Sequence, residues 1–512
     1  DIKLPSRPEG AKWTTHATVV DTLHYRQDRV GKLRYNHLYV VDANGGVAKK
    51  ITDGRFSVSG TPEWSNDGQS IVLSVGQDDD FFDVGLNDLA VVSLADGSIN
   101  RLTDGTGSWG SAKISPDGSK IIFSGSVDTA ANYDIQEIRM VNMDGSDMRT
   151  LVADTPATAS SFHWDERSRG AYYHVSEEGD VNVKYINVNN SEINNITEGD
   201  HQIRLDSISA NGIAVGTYTA PKVTRNVAKF SLRGGNITQL TDVNSDILDG
   251  KTLGNVEEIW YDSSEGARVQ GWVVYPPDFD PSKKYPMLLY IHGGPHGMYG
   301  TNFNFMFQEH AAQGYVVVYT NPRGSIGYGQ AFANAIDNAY PGPRDYTDLM
   351  RGVDDVVAKG YIDENQLYAA GCSGGGVLTT WIVGQTDRFA AAAALCPVTN
   401  WISFAGQADI VRWTNMRFHK PWWEDSKAWV EHSPIMHVNK VKTPTMLMTG
   451  VKDLRTPIPQ AEEFYTALKM LGVPTVLVRM EDEYHGTSRR PSNMLRTQLY
   501  LQKWFGEHKK GE

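Results

Sequence analysis

The chain has 512 residues, and at about 150 residues per domain this length predicts two to four domains. Hydrophobic residues make up 40% of the chain and 49 residues are glycine, which supports a large folded core and argues against a disordered chain. The formal net charge is −13 with no long Lys/Arg run, so nucleic acid is not an expected partner. Only two cysteines and no HExxH motif occur, so we expect no metal and no cofactor.

No segment of the chain is typical of a membrane span. The longest apolar stretches, such as residues 389–396, are about half the ~20 residues that a span requires. The chain does not open with a charged and then apolar signal segment, but it begins at Asp1, so we expect a processed chain or a fragment. We therefore expect a soluble protein without a membrane partner, either cytoplasmic or periplasmic. The sequence leaves homo-oligomerisation open.

The first half of the chain contains a β-rich repeat. A turn motif that follows an apolar residue recurs every 44 to 50 residues, at residues 64–68, 114–118, 164–167 and 208–212. A second marker, of the type Ile-Thr-Asp-Gly, recurs at residues 51–54, 102–105, 196–199 and 240–242. Alternating apolar residues follow the turns, as is typical of hairpins that lead into strands. This period predicts a β-propeller of four-stranded blades, with a β-sandwich as the alternative.

About five blades can be counted between residues 13 and 247, and we assign residues 1–250 to the propeller. Enzyme-linked propellers usually have more blades, so either this ring is small or its N-terminal blades are missing, and we favour a propeller that is incomplete at its N-terminus. The Asp in each turn is of the type that hydrogen-bonds within turns. We therefore interpret the propeller as a scaffold without chemistry of its own.

The second half of the chain has an α/β pattern. Short apolar strands alternate with segments of helical length, and the strands are predicted at residues 286–291, 315–319, 367–370, 389–395, 445–448 and 475–478. Near-continuous apolar strands indicate a parallel sheet covered by helices on both faces. We assign residues 251–512 to a doubly wound, mostly parallel sheet, whose functional residues should follow the carboxyl ends of the strands.

Ser373 is the candidate nucleophile. It lies in a Gly-Cys-Ser-Gly-Gly sequence at residues 371–375, between a predicted strand and a predicted helix. In such a nucleophile elbow the tight turn requires glycine two residues before and two residues after the serine. The alternative is a glycine-rich turn with no chemical role.

A serine nucleophile needs a histidine base and a carboxylate that orients the base. Asp453 and His485 each follow a predicted strand, and the order Ser, Asp, His is that of the α/β-hydrolases. The acidic residues next to the histidine are interpreted as a solvated turn or as groups that tune the site; they are Glu481, Asp482 and Glu483.

The oxyanion of the tetrahedral intermediate requires preorganised donors. The amide of Gly374 directly follows the nucleophile, and Gly293 and Gly294 lie in a His-Gly-Gly-Pro-His-Gly loop after the first strand. An ordinary turn is the alternative for this loop. We expect His292 and His296 to be structural.

These motifs together resemble the prolyl oligopeptidase family, closest to its branch of acylaminoacyl peptidases and enzymes like dipeptidyl-peptidase 5. The motifs lie at residues 292–295, 321–329, 371–376, 453–457 and 485–486. The resemblance implies a propeller that caps an α/β-hydrolase, with the catalytic triad at Ser373, Asp453 and His485. It also implies a serine peptidase for short peptides, either an oligopeptidase or an exopeptidase that releases acyl-amino acids or dipeptides. An esterase or amidase for small acyl substrates and a non-catalytic propeller that binds partners are the alternatives.

Aromatic residues are dense between residues 397 and 430. Because this segment follows the strand after the elbow, it is predicted to form a specificity pocket, with Trp401, Phe404 and Trp413 as candidate substrate-binding residues. A helical hairpin packed through its aromatic side chains is the alternative.

Cys372 lies in the elbow and Cys396 at the end of the next predicted strand. We predict two free thiols, because the strained turn is already committed to presenting Ser373 and a disulfide has its own strict geometry.

Overall fold

The computed structural model describes residues 6–12, 18–32, 34–77, 85–155, 159–234 and 236–510. The first elements in these ranges are two short antiparallel pairs of strands. Their strands are β1 (Arg26–Gln27), β2 (Gly31–Lys32), β3 (Tyr39–Val40) and β4 (Lys49–Lys50). Leu38 and Val40 pack against Ile71 and Leu73 of the sheet that follows, so the second pair covers the face of that sheet.

Four antiparallel units follow, and they are blades of the predicted propeller. The first contains β5 (Val58–Trp64), β6 (Ser70–Gly76), β7 (Asn87–Ser93) and β8 (Ile99–Arg101). The second contains β9 (Gly107–Ile114), β10 (Lys120–Val127), β11 (Gln136–Asn142) and β12 (Arg149–Thr155). The third contains β13 (Ala159–Trp164), β14 (Gly170–Glu177), β15 (Asp180–Asn187) and β16 (Ile193–Asn195). The fourth contains β17 (Gln202–Ile203), β18 (Ser207–Ile208), β19 (Ile213–Ala220), β20 (Val223–Ser231) and β21 (Thr238–Gln239).

The threonine of the Ile-Thr-Asp-Gly marker has the same hydrogen bond wherever the marker occurs. Its Oγ1 accepts from the backbone N–H fourteen residues earlier, over 2.9 to 3.1 Å; the pairs are Leu38 with Thr52, Leu89 with Thr103, Val183 with Thr197, and Val227 with Thr241. The β3–β4 pair shares this bond, so it corresponds to part of a fifth blade. The described residues thus contain four blades and part of a fifth.

The turn aspartates are hydrogen-bonding turn residues, as predicted. Asp117 Oδ1 accepts from the hydroxyl of Ser115 over 2.6 Å and from the N–H of Ser119 over 3.0 Å. Asp67 makes the equivalent bonds with Ser65 and Gln69.

The C-terminal half forms one eight-stranded sheet, with spatial order β22-β23-β25-β24-β26-β27-β28-β29. The strands are β22 (Val256–Asp262), β23 (Arg268–Val274), β24 (Tyr285–Ile291), β25 (Val316–Asn321), β26 (Ile362–Cys372), β27 (Ala391–Leu395), β28 (Thr445–Gly450) and β29 (Thr475–Met480). The six strands from β25 to β29 in this order pair in parallel. β23 is antiparallel to both of its neighbours, β22 and β25. The sheet is therefore mostly parallel, as the apolar strands indicated.

Helices cover both faces of this sheet. The α-helices are α1 (Ser245–Leu248), α2 (Phe305–Ala312), α3 (Gln330–Ala333), α4 (Pro343–Ala358), α5 (Gly374–Val383), α6 (Trp401–Gln407), α7 (Val411–Asn415), α8 (Lys427–Glu431), α9 (Pro459–Met470) and α10 (Pro491–Gly506). Short 3₁₀ helices lie at Ser264–Gly266, Asn334–Ile336 and Pro434–Lys440. Apolar residues of α4 and α5 pack on one face of the sheet, and those of α2 and α10 pack on the other. Such two-sided burial is why the strands are apolar on both faces.

Polar contacts join the propeller to loops of the α/β sheet. Thr301 Oγ1 donates to Asp180 Oδ1 over 2.7 Å. Asn334 Nδ2 donates to the carbonyl of Tyr133 over 2.7 Å, and its Oδ1 accepts from the N–H of the same residue. The propeller is thus held against the α/β sheet by polar bonds.

Within the described ranges, every helix is too short or too polar to cross a bilayer.

Candidate active site

Ser373 lies in a tight turn between β26 and α5. Its backbone has φ 60° and ψ −120°, and residues other than glycine rarely adopt such a left-handed φ. A Cβ at Gly371 would lie 2.7 Å from the backbone of Gly375, and a Cβ at Gly375 would lie 2.1 Å from the carbonyl oxygen of Ile291. Both glycines are therefore required by the close packing of the turn, which has the geometry of a nucleophile elbow.

Asp453 and His485 lie in loops that follow β28 and β29, and they contact each other. The imidazole Nδ1 donates to Asp453 Oδ2 over 2.9 Å. The carboxylate is 3% exposed, and its Oδ1 accepts from the N–H groups of Arg455 and Thr456 over 2.9 and 2.8 Å. The Thr456 hydroxyl donates to Oδ2 over 3.0 Å. These bonds fix the orientation of the carboxylate, so that it holds His485 with Nδ1 protonated and leaves Nε2 able to accept a proton.

The pH dependence of activity follows from this environment. Burial lowers the pKa of His485, but the hydrogen bond to Asp453 and the charges of Asp453 and Asp28 raise it, and the resulting pKa lies above the ordinary value of 6.5. A general base must be neutral, so kcat/KM should rise with pH through a midpoint above 6.5 and then reach a plateau. A profile of kcat/KM with a substrate that does not titrate measures this midpoint. A midpoint below 6.5, or a flat profile from about pH 5.5 to 8, would contradict the assignment.

The three glycines that the sequence predicts as oxyanion-hole residues lie next to Ser373. A Cβ at Gly293 would lie 3.3 Å from the Ser373 Cβ, and a Cβ at Gly374 would lie 2.7 Å from the backbone nitrogen of Gly294. Gly294 has φ 128°, a conformation that favours glycine. The structure therefore brings the predicted oxyanion residues together around Ser373.

His292 and His296 are bonded to the scaffold, as expected for structural residues. His292 Nδ1 donates to the carbonyl of Gly293 over 2.7 Å, and its Nε2 lies 2.9 Å from Ser325 Oγ. Burial lowers the pKa of His292 and lowers that of His296 to about 4. His296 nevertheless lines the cavity described next.

A cavity of about 430 Å³ opens at Ser373. It is lined by Gly294, Pro295, His296, Ser373, Gly374, Val377, Val398, Trp401, Phe404, Ile410, Trp413, Arg455, Thr456 and His485. The serine and the histidine thus share one cavity with the three aromatic residues singled out from the sequence.

The aromatic segment packs its helices together and also lines the cavity. Trp401 and Phe404 are each 1% exposed, and the Trp401 ring centroid lies 5.6 Å from that of Phe404 and 6.3 Å from that of Trp413. Helices α6 and α7 are therefore packed through aromatic rings, and the same rings form one wall of the cavity. In contrast, Trp423 is 63% exposed and lies outside the cavity lining.

The three acidic residues before His485 are engaged elsewhere. Glu483 is 2% exposed and accepts from Asn493 Nδ2 over 2.7 Å, which anchors the histidine loop to α10. Asp482 pairs with Lys452 over 2.9 Å, and Glu481 lies 3.5 Å from Arg479.

Both halves of the chain are similar to known peptidases. The profile described as "Acylaminoacyl-peptidase, N-terminal beta-propeller domain" matches residues 9–157, and the profile described as "Prolyl oligopeptidase family" matches residues 301–512. The uncharacterized peptidase YuxL of Bacillus subtilis is 33% identical to the chain, over 95% of this chain and 88% of the relative. The chain belongs to the prolyl oligopeptidase family.

A further relative and a solved structure are also similar to the chain. Dipeptidyl-peptidase 5 of Porphyromonas gingivalis is 26% identical over 92% of this chain and 71% of the relative. The structure of Pyrococcus horikoshii acylaminoacyl peptidase has a TM-score of 0.83 at 24% identity, covering 99% of this chain and 79% of that chain. The fold is thus a β-propeller followed by an α/β-hydrolase. As a member of the family, the protein is a serine peptidase that acts on short peptides, and the comparisons give no support to an esterase or to a non-catalytic propeller.

Asp28 is a site residue that the sequence did not indicate. Its carboxylate accepts from the N–H of Leu454 over 3.0 Å and from the N–H of His485 over 3.3 Å, and it is 7% exposed. Its own N–H donates to Asp409 Oδ2 over 2.7 Å, and Asp409 also pairs with Arg455 over 2.7 Å. One carboxylate therefore bridges the loops that carry Asp453 and His485. The segment has no repeat or motif, and only the proximity of residues about 430 positions apart reveals it.

Asp28→Asn should impair the site without unfolding the protein. Loss of the charged acceptor loosens both loops, and we expect kcat/KM to fall by about 10- to 100-fold. Because the Asp28 charge helps to raise the pKa of His485, the midpoint of the pH profile should also move downward. Steady-state kinetics across pH measures both effects, and Asp21→Asn, at an exposed position of the same segment, is the control. An unchanged midpoint together with unchanged kcat/KM would contradict this role.

Proposed function

We propose that the peptidase acts through an acyl-enzyme on Ser373. His485 Nε2 takes the serine proton as Ser373 Oγ attacks the scissile carbonyl, and Asp453 stabilises the resulting imidazolium. The N–H of Gly374 and those of the segment at Gly293 and Gly294 stabilise the oxyanion. His485 then protonates the leaving amine and activates the water that hydrolyses the acyl-enzyme. The supporting observation is that a serine in elbow geometry and a histidine oriented by an aspartate line the same cavity.

The division of the chain into residues 1–250 and 251–512 is part of this proposal. The last blade strand ends at Gln239, and the first strand of the α/β sheet begins at Val256. Only the short helix α1 was found between them among the described residues, so a boundary near residue 250 agrees with both sheets.

The preferred substrate in this proposal is a short peptide with an acylated N-terminus. None of the described residues that line the cavity is Asp or Glu, whereas Arg455 does line it. A free α-ammonium group would enter this cavity without a carboxylate partner, at a large desolvation cost. An acyl group is neutral, and its carbonyl can accept a hydrogen bond from a guanidinium. The similarity to dipeptidyl-peptidase 5 makes dipeptide release the second candidate.

Three chromogenic substrates with the same residue before the scissile bond separate these candidates. They are acetyl-Phe, Gly-Phe and acetyl-Gly-Phe p-nitroanilides. If an acylated N-terminus is preferred, acetyl-Phe should exceed Gly-Phe in kcat/KM by at least about 10-fold, because an unpaired buried charge is costly. Acetyl-Gly-Phe p-nitroanilide has the same two residues as the dipeptide substrate but no charged N-terminus. It therefore separates the effect of the N-terminal charge from the effect of peptide length. A higher kcat/KM for Gly-Phe would overturn the acyl preference and support dipeptide release.

The aromatic wall should set the preference for the side chain before the scissile bond. Trp413 is half-buried and lines the cavity, so Trp413→Ala removes apolar contact area from a bound phenylalanine side chain. We expect KM for acetyl-Phe p-nitroanilide to rise by about 10-fold with a small change in kcat, and KM for the alanine analogue to change less. Trp423→Ala, at an exposed tryptophan, is the matched control. Equal changes for both substrates would refute a role in specificity.

A further inference from the structure

The two cysteines of the chain are free thiols, as predicted, and they contact each other. Cys372 ends β26 and Cys396 directly follows the neighbouring parallel strand β27. Their Sγ atoms lie 2.7 Å apart. We propose that Cys372 and Cys396 form an oxidisable dithiol, which hydrogen peroxide converts into a disulfide that inactivates the enzyme. The loss of activity rests on the proposed role of Ser373, whereas the disulfide does not.

The different burial of the two thiols sets the order of the steps. Cys372 is partly exposed, whereas Cys396 is fully buried. Burial raises the pKa of Cys396 well above its ordinary value, so this thiol stays protonated and does not react first. The peroxide therefore reacts first with Cys372.

The reaction is balanced with hydrogen peroxide as the oxidant. Cys372 Sγ, after loss of its proton, attacks one peroxide oxygen; the O–O bond breaks, and the other oxygen leaves as water after taking up a proton. This step produces a sulfenic acid on Cys372. Cys396 Sγ then attacks that sulfur, the S–O bond breaks, and a second water leaves with the Cys396 proton. Overall, two thiols lose two electrons and two protons, and one peroxide is reduced to two waters.

The position of the disulfide explains why activity should be lost. Cys372 is bonded directly to Ser373, whose N–H donates to the carbonyl of Leu395 over 3.0 Å. Cys396 Sγ also lies within 4.8 Å of a carboxylate oxygen of Asp453 and of a ring nitrogen of His485. A disulfide requires an S–S distance of about 2.05 Å and a dihedral angle near 90°, so the ends of β26 and β27 must shift. A shift of the nucleophile relative to the base by about 1 Å lowers the rate by about 100-fold.

Peptide mapping of the wild-type protein tests the disulfide without any variant. Protein treated with peroxide is freed of the oxidant, denatured in urea at neutral pH with N-ethylmaleimide to alkylate free thiols, and then digested with trypsin. Cleavage after Lys359, Arg388 and Arg412 places the two cysteines in separate peptides, residues 360–388 and 389–412. We expect a cross-linked pair two hydrogens lighter than the sum of the two peptides, which dithiothreitol separates. Recovery of both peptides as alkylated thiols, or of sulfinic acid on Cys372 alone, would overturn the proposal.

Activity assays test the consequence of oxidation. We expect wild-type activity to fall by about 100-fold in parallel with cross-linking and to return with dithiothreitol. Cys372→Ala, compared with its own untreated activity, should be insensitive to the same peroxide dose. Cross-linking with full activity would overturn the inactivation. If the reduced wild-type protein does not cleave peptides through Ser373, the proposed mechanism fails, but the peptide map still decides whether the dithiol forms a disulfide.

Discussion

Ser373→Ala should lower kcat by about 10⁴- to 10⁶-fold while the protein remains folded, because the residual rate without a triad nucleophile comes only from binding and the oxyanion donors. His485→Ala should cause a loss of similar size, and the double variant should be little worse than either single variant, since the two residues act as one unit. Rates of peptide p-nitroanilide hydrolysis measure these effects.

The control for this experiment is Ser282→Ala, because Ser282 is exposed and caps a surface turn through Asp280. Circular dichroism verifies the fold of each variant. A Ser373→Ala protein with most of its activity, or losses that multiply in the double variant, would rule out the assigned pair.

Asp348→Ala should destabilise the catalytic half strongly. Arg323 donates from Nε to Asp348 Oδ2 over 2.9 Å and from Nη2 to Oδ1 over 2.8 Å, and the two residues are 5% and 0% exposed. The backbone N–H of Arg323 also donates to Asp348 Oδ2, so the pair anchors the loop after β25 to α4. Removal of the carboxylate leaves the buried guanidinium with only the exposed Glu265, 3.3 Å away, as an ionic partner. Breaking a buried ion pair in this way typically costs about 3–5 kcal/mol of unfolding free energy.

Urea unfolding followed by tryptophan fluorescence measures this loss as a lower midpoint. The matched control is Glu431→Gln in the exposed pair of Lys427 and Glu431, whose charged atoms lie 3.9 Å apart and should contribute little. An Asp348→Ala protein that unfolds at the same urea concentration as the wild type would show that water or another group compensates the arginine.

The strands that were easiest to predict are those buried on both faces. β24, β25 and β28 appear as uninterrupted apolar runs because helices cover both sides of the sheet. β26 was predicted too short, beginning at residue 367 rather than at Ile362. Its first residues are largely polar and partly exposed, so hydrophobicity does not mark them.

Those residues of the candidate site are predictable whose chemistry constrains the local sequence. Residues that act only through contacts with distant parts of the chain are not. The elbow at Ser373 needs particular glycines, so its sequence is distinctive. Asp453 and His485 follow strands in the order of a known fold. The bridge made by Asp28, however, uses a common residue in a segment without a pattern, and it depends on a contact that only the folded chain creates.

The threonine hydrogen bonds within the blades bear on how the propeller can evolve. Each hydrogen bond joins a backbone N–H to the hydroxyl of the threonine fourteen residues later. Both groups belong to the same blade, so the neighbouring blade contributes nothing to the bond. A blade that carries its own closure can be duplicated or deleted as a unit, because its internal bonding survives in the copy. Gene duplication within the propeller can therefore alter the size of the ring while the catalytic half, which is encoded downstream, is left untouched.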